Sequence, residues 1–186
     1  MKIYTKQGDG GETGLLGGGR VAKSEPRIHA IGALDELNAA LGMVLATPEL
    51  VDELRSTLLR VQNGLFEVGA ALASPDPEAN RETFPGETAW LEQIIDATEA
   101  LLPPLDRFIL PGGQSAGAGI HWARTLCRRA EREVVGAVGR EPGRANLLAY
   151  LNRLSDALFV LARRANQLDG AAETPWLRLG GSGTGR

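Results

Sequence analysis

Apolar side chains recur every three or four residues along most of this chain, and the runs are cut by proline and glycine. Ile28, Ile31, Leu34, Leu37, Leu41 and Val44 make one stripe, and Leu50, Leu54, Leu58, Val61, Leu65, Val68 and Leu72 a second. Leu147, Leu148, Leu151, Leu154, Leu158 and Leu161 make the last. That spacing is the period of an α-helix with one buried face. Such a face must be covered by another helix, so the pattern restricts the chain to a helical bundle. Ser24 as N-cap with Pro26 in the first turn starts the first helix, and Thr47-Pro48 starts the second. Ser74-Pro75-Asp76-Pro77 ends the second, leaving 74–86 as a loop, and a third helix over 87–102 is closed by Pro103-Pro104. A fourth follows Pro111-Gly112-Gly113; Pro142 opens a fifth and Gly170 ends it. The remainder leaves room only for a short N-terminal strand set. The reading is all-α, a five-helix bundle.

A chain of 186 residues suits one well-cored domain, and 5% aromatics puts its core on aliphatic side chains. A net charge of −3 argues against a general nucleic-acid binder. The single cysteine, Cys127, excludes an intrachain disulfide, and with His29 and His121 alone no usual zinc site can be built from His and Cys. The Glu-x-x-His pattern of di-iron bundles is absent, and no ferritin-like metal core is expected. The start lacks a signal-peptide core and no window reads as a membrane span, so a cytoplasmic location without membrane partners is expected.

The fourth helix carries Arg124, Arg128 and Arg132, one turn apart on one face. Stacked like charges repel, so carboxylates or an anionic ligand must neutralise them. Glu131 and Glu133 could do so within the helix; a phosphate would suit the guanidinium fork equally. The preceding run Ala116, Gly117, Ala118, Gly119 and Ala123 lets a backbone or a ligand come close. On the first helix Asp35 is either an exposed acid or a carboxylate near the packed face that needs a cation. On the fifth, Asn152, Ser155, Asp156 and Phe159 form a second, partly polar face. Phe108 lies in the extended connector 106–113, where a phenylalanine either plugs the core, the commoner use, or faces a ligand.

Seven of the first nineteen residues are glycine, and all three lysines, Lys2, Lys6 and Lys23, fall in residues 1–23. Glycines let successive N–H groups turn toward one anion, with Thr5, Thr13 and the lysines as further donors. The alternative is a loose N-terminal tail. It is not a Walker A loop: Arg20-Val21 follows Gly19 where Lys-Ser/Thr is required.

Three separated blocks together resemble the PduO-type ATP:cob(I)alamin adenosyltransferases. One is Thr5-Lys6-Gln7-Gly8-Asp9-Gly10-Gly11-Glu12-Thr13-Gly14 with Lys23, completed by Asp35-Glu36-Leu37-Asn38 and Gly42. The second is Phe108-Ile109-Leu110-Pro111-Gly112-Gly113 with His121 to Arg132; the third is Tyr150 to Asp156 with Phe159. The resemblance implies a single adenosyltransferase domain over 1–176, with an ATP-binding segment at 1–23, a helical bundle at 24–170 and a flexible tail at 177–186. It implies a homotrimer with active sites between neighbouring subunits. Thr5, Lys6, Gln7, Gly8, Thr13, Gly14 and Lys23 would wrap the triphosphate of ATP, and Arg128, Arg129, Ala130, Glu131, Arg132 and Asn152 would complete that site. Arg128 and Phe108 would be the catalytic pair, with Phe108 on the corrinoid side. Asp35 would pair with Arg124 of a neighbour, and no protein side chain is assigned to a metal. The implied reaction moves the 5′-deoxyadenosyl group of ATP, carried with Mg²⁺, to the Co(I) of cob(I)alamin. Partners would be a reductase and an adenosylcobalamin-dependent enzyme. The competing reading is a non-catalytic nucleotide- or corrinoid-binding carrier. One departure is His29, where such proteins often have an acidic or aromatic residue; another is the longer tail after Trp176.

Overall fold

The computed structural model describes residues 3–17, 19–76, 82–139, 141 and 143–179. Among them are two strands, β1 (Glu12–Gly14) and β2 (Arg20–Ala22), and five helices: α1 (Pro26–Leu45), α2 (Asp52–Ala73), α3 (Thr83–Glu99), α4 (Ser115–Val138) and α5 (Ala145–Leu168). Lys2, Pro142 and the tail residues 180–186 lie outside the described residues. The strands form an antiparallel hairpin with Thr13 opposite Val21.

Several helix boundaries differ from the expected ones, each for a local reason. Glu25, not Ser24, holds the cap position of α1, and no side chain caps the helix. Pro26 at the first position has no N–H to leave unpaired, so the start tolerates this. The second helix starts at Asp52 rather than Pro48. Thr47 to Leu50 is instead a turn, closed by Leu50 N–H to the Thr47 carbonyl at 3.3 Å. Arg55 holds that turn by donating to the carbonyls of Leu45 at 2.8 Å and Thr47 at 3.3 Å, which α1 leaves unsatisfied at its end. The third helix begins at Thr83 and closes at Glu99. Phe84 is buried 5.8 Å from the Tyr150 ring and draws the chain in early, and Pro85 is harmless in a first turn. The fifth starts at Ala145, preceded by buried Arg144, which donates to the Ala71 carbonyl in the last turn of α2 at 2.9 Å.

The helices pack in the spatial order α2–α1–α4–α5–α3, with α2 also touching α5. The core is aliphatic: Leu37, Leu41, Leu58, Leu151, Leu154 and Leu158 are fully buried. The run of small residues on α4 serves helix packing, since a Cβ on Gly119 would stand 2.8 Å from Val44 Cγ2 of α1. The expectation that no stretch could span a membrane needs correcting. By length and composition α1, at 20 residues and mean hydropathy 1.3, is sufficient. Here it is a core helix that buries Ala30, Leu34, Leu37 and Leu41 against α2 and α4 while exposing Asp35 and Glu36.

Candidate active site

The N-terminal residues fold into one compact unit. Gly11 N–H reaches the Gly8 carbonyl at 3.2 Å and Lys23 N–H the Gly11 carbonyl at 2.8 Å. Lys6 adopts a left-handed φ of 60°, and Gly11 one of 84°. Arg20 donates to the Gln7 carbonyl at 2.6 Å and to Glu12 at 3.2 Å, tying the turn to the hairpin. The Lys23 ammonium sits directly over Gly8, where a Cβ would come within 3.2 Å of Nζ. Lys23 thus stands beside Gly8, with Thr5, Lys6, Gln7, Gly14 and Lys23 exposed and Gly8 and Thr13 half-buried. Turns of this kind gather backbone N–H groups toward an anion. Leu15 and Val21 of this unit line a groove with Pro26 of α1 and Ala137 of α4.

The arginine row stands elsewhere on α4. Arg124 is half-buried, Arg128 and Arg132 are exposed, and among the described residues none of the three pairs with a carboxylate. Glu131 and Glu133 do not neutralise the row; Glu131 instead accepts a bond from Asn152 of α5 at 3.2 Å. Arg132 donates to the Arg128 carbonyl at 2.8 Å. Arg129 turns away and forms an ion pair with Glu36 of α1, and Ala130 is buried between helices. The Arg124 guanidinium lies 5.8 Å from the Phe159 ring, and its buried Nε has no acceptor. Burial, and then the neighbouring Arg128 charge, lower its pKa. Asp35 is exposed on α1 and does not reach Arg124 of its own chain.

A cavity of about 460 Å³ opens between α3, α4 and α5, lined by Arg124, Arg128, Glu92, Asp96, Asp156 and Phe159. Arg153 bridges Glu92 at 3.0 Å and Asp156 at 3.1 Å on its wall. The polar face expected on α5 divides: Asn152 and Asp156 are exposed, whereas Ser155 is buried and bonds the Asn152 carbonyl at 2.9 Å. His121 is buried with its ring 5.9 Å from Phe159.

Phe108 does not plug the core. It is 78% exposed and meets Trp176 edge-on, with ring centroids 6.3 Å apart. Its connector is more than a link: Ile109 bridges antiparallel to Pro175. Sequence reasoning missed Arg163, Asn166, Glu173 and Trp176, which surround this connector. A signal existed for two of them, because Phe159, Arg163 and Asn166 continue the polar face of α5 at spacings of four and three.

Fold and site together define a class: a helical bundle that presents a cationic glycine-rich hairpin, an unneutralised arginine row and an exposed aromatic ring on a pinned connector. A family model described as cobalamin adenosyltransferase matches residues 3–165. The chain belongs to that family. It is 43% identical over 177 residues to a cobalamin adenosyltransferase of Cupriavidus metallidurans, covering 95% of each chain. It is 41% identical over 183 residues to a corrinoid adenosyltransferase of Bacillus subtilis, covering 96% of this chain and 93% of the other. Among solved structures it is similar to a PduO-type ATP:corrinoid adenosyltransferase variant from Lactobacillus reuteri complexed with cobalamin and ATP. That likeness has a TM-score of 0.85 and 34% identity, and covers 95% of this chain and 100% of that one.

Proposed function

We propose that this protein transfers the 5′-deoxyadenosyl group of ATP to the cobalt of a corrinoid. Co(I) of cob(I)alamin attacks C5′ of ATP; the Co–C bond forms, the C5′–O bond breaks and triphosphate leaves. A leaving group of that charge needs cationic donors held in place beforehand. The observation that carries the reading is the row Arg124, Arg128 and Arg132, which no carboxylate among the described residues neutralises.

In this reading Thr5, Lys6, Gln7, Gly8, Thr13, Gly14 and Lys23 of one subunit wrap the triphosphate. Arg128, Arg129, Ala130, Glu131, Arg132 and Asn152 of its neighbour complete the site. Asp35 of a neighbour supplies the carboxylate that Arg124 lacks among the described residues, which requires a homotrimer or another closed assembly. Mg²⁺ enters bound to the ATP phosphates, whose oxygens are the hard ligands it prefers. No general base is needed. Phe108 faces the corrinoid and favours loss of its lower axial ligand, which eases reduction to Co(I). The domain runs from 1 to 176, with the phosphate-binding segment at 1–23 and the bundle at 24–170. The reading places the enzyme in the cytoplasm, where ATP is made, between a reductase and an adenosylcobalamin-dependent enzyme.

The test mixes protein, ATP, Mg²⁺ and chemically reduced cobalamin, and follows the visible spectrum together with triphosphate release. The expected result is conversion to the alkylated cobalamin with one triphosphate per turnover. A carrier would bind both ligands and release none, and that outcome would overturn the reading.

A further inference from the structure

The connector over 100–114 spans the gap between α3 and α4 without regular structure of its own beyond its bridge to Pro175. Phe108 sits near its middle and is too exposed for packing of its ring to set its position. What sets it is main chain. Trp176 N–H donates to the Phe108 carbonyl and Leu110 N–H to the Thr174 carbonyl, each at 2.8 Å. The C-terminal segment 171–176 thus acts as the second strand of a minimal ladder, and it too must be fixed to something.

The last turns of α5 fix both. Arg163, only 3% exposed, donates Nε to Glu173 Oε1 at 2.5 Å. Its NH2 reaches Glu173 Oε2 at 3.3 Å and the Pro103 carbonyl at 2.8 Å. One guanidinium therefore joins α5, the start of the connector and the C-terminal segment. A charge so buried is costly to strand, so the pair holds together. One turn on, Asn166 donates to the Gly112 carbonyl at 2.8 Å and accepts from Gln114 N–H at 3.1 Å. Gln167 adds a bond to the Leu101 carbonyl at 2.8 Å. The connector is pinned before and after Phe108 by α5, and flanked by a segment that Glu173 ties to the same helix.

We propose that Arg163 and Glu173 are positioning residues for Phe108: their part-buried ion pair holds the C-terminal segment in register with the connector and so fixes where the aromatic ring stands. This rests on the reading of Phe108 as the corrinoid-facing residue. Neither side chain touches the corrinoid; both act through the backbone of 174–176.

The experiment compares Glu173→Gln, Phe108→Ala and the double variant in the full-length protein. It measures ATP affinity without corrinoid, and turnover with chemically reduced cobalamin. Glu173→Gln keeps the shape of the side chain and removes its charge. Its turnover should fall about tenfold, less than the roughly 10²-fold that a misplacement of about 1 Å can cost, while ATP affinity stays within about twofold of wild type. In the Phe108→Ala background the same change should add nothing, because the ring it positions is gone. Multiplying losses, or a parallel loss of ATP affinity, would overturn the proposal. So would wild-type turnover in Glu173→Gln beside a slowed Phe108→Ala, and that pattern would leave the role of Phe108 intact. Wild-type turnover in Phe108→Ala would remove the reading of Phe108 and the positioning role with it. If Glu173→Gln folds poorly, Arg163→Met with Glu173→Met removes both charges without stranding either, and is held to the same expectations.

Discussion

The side chain of Asn166 occupies the space that a Cβ on Gly117 would need, so the two residues permit each other. Gly113, at a left-handed φ of 113°, is under the same restriction from the same carboxamide. Gly117→Ala should cost about 1–3 kcal/mol by overpacking, and Asn166→Ala about 1–3 kcal/mol by stranding the polar groups it pairs. Together they should cost clearly less than the sum, since the smaller residue at 166 makes room for the methyl at 117. Denaturant unfolding of the four proteins measures the coupling. Strict additivity would mean that the pair does not share this space.

Arg128→Ala should weaken ATP binding at least tenfold, because a charge-assisted bond to phosphate is worth roughly 1.5–3 kcal/mol. Arg128→Lys should recover part of it, as a point charge without the planar fork. Raising salt should narrow the gap between wild type and variant, the guanidinium being exposed. Titration of nucleotide at two ionic strengths checks all three. Equal affinities would remove Arg128 from the phosphate site.

His121 makes the fold sensitive to mild acid. Burial, and then the Arg124 charge, push its pKa below the ordinary 6.5, and Glu173 only partly opposes them. The unfolded chain therefore binds a proton that the folded chain resists. Stability is retained above about pH 6.5 and lost as pH falls from there toward the folded value. His121→Leu should abolish this part of the slope between pH 7.5 and 5.5 in equilibrium unfolding. A slope identical to wild type would show that His121 does not carry it.

Cys127 should be inert in the native state. It is fully buried, donates to the Leu151 carbonyl at 3.4 Å, and burial pushes its thiol up to about 12. A thiol reagent at neutral pH should label it only as fast as the protein opens, and quickly in denaturant. Rapid labelling of the folded protein would contradict the packing of α4 against α5.

The helices were legible because burial on one face leaves a period that single residues cannot hide. Leu147, Leu151, Leu154 and Leu158 announce α5 from the sequence alone. Helix ends were less legible. Thr47-Pro48 has the chemistry of a start, yet Arg55 captures the carbonyls there and makes the segment a turn. Nothing in the spacing announces a side chain arriving from eight residues away. The site divides in the same way. The arginine row and glycine-rich head are local patterns and could be read directly. Glu36 as the partner of Arg129, and Glu173 as the partner of Arg163, depend on which helices become neighbours. Phe108 shows where local reading stops: the sequence left it either in the core, the commoner use of a phenylalanine in a short connector, or facing a ligand, and the main-chain bonds to the segment around Trp176 leave its ring in solvent.

Because Phe108 is located by its peptide groups rather than by its ring, the identity of that side chain is uncoupled from its address. A saturation library at this one position would sample surface chemistry at nearly constant geometry and folding yield. Single codon changes there would alter the chemistry this surface presents without first having to re-engineer the scaffold beneath.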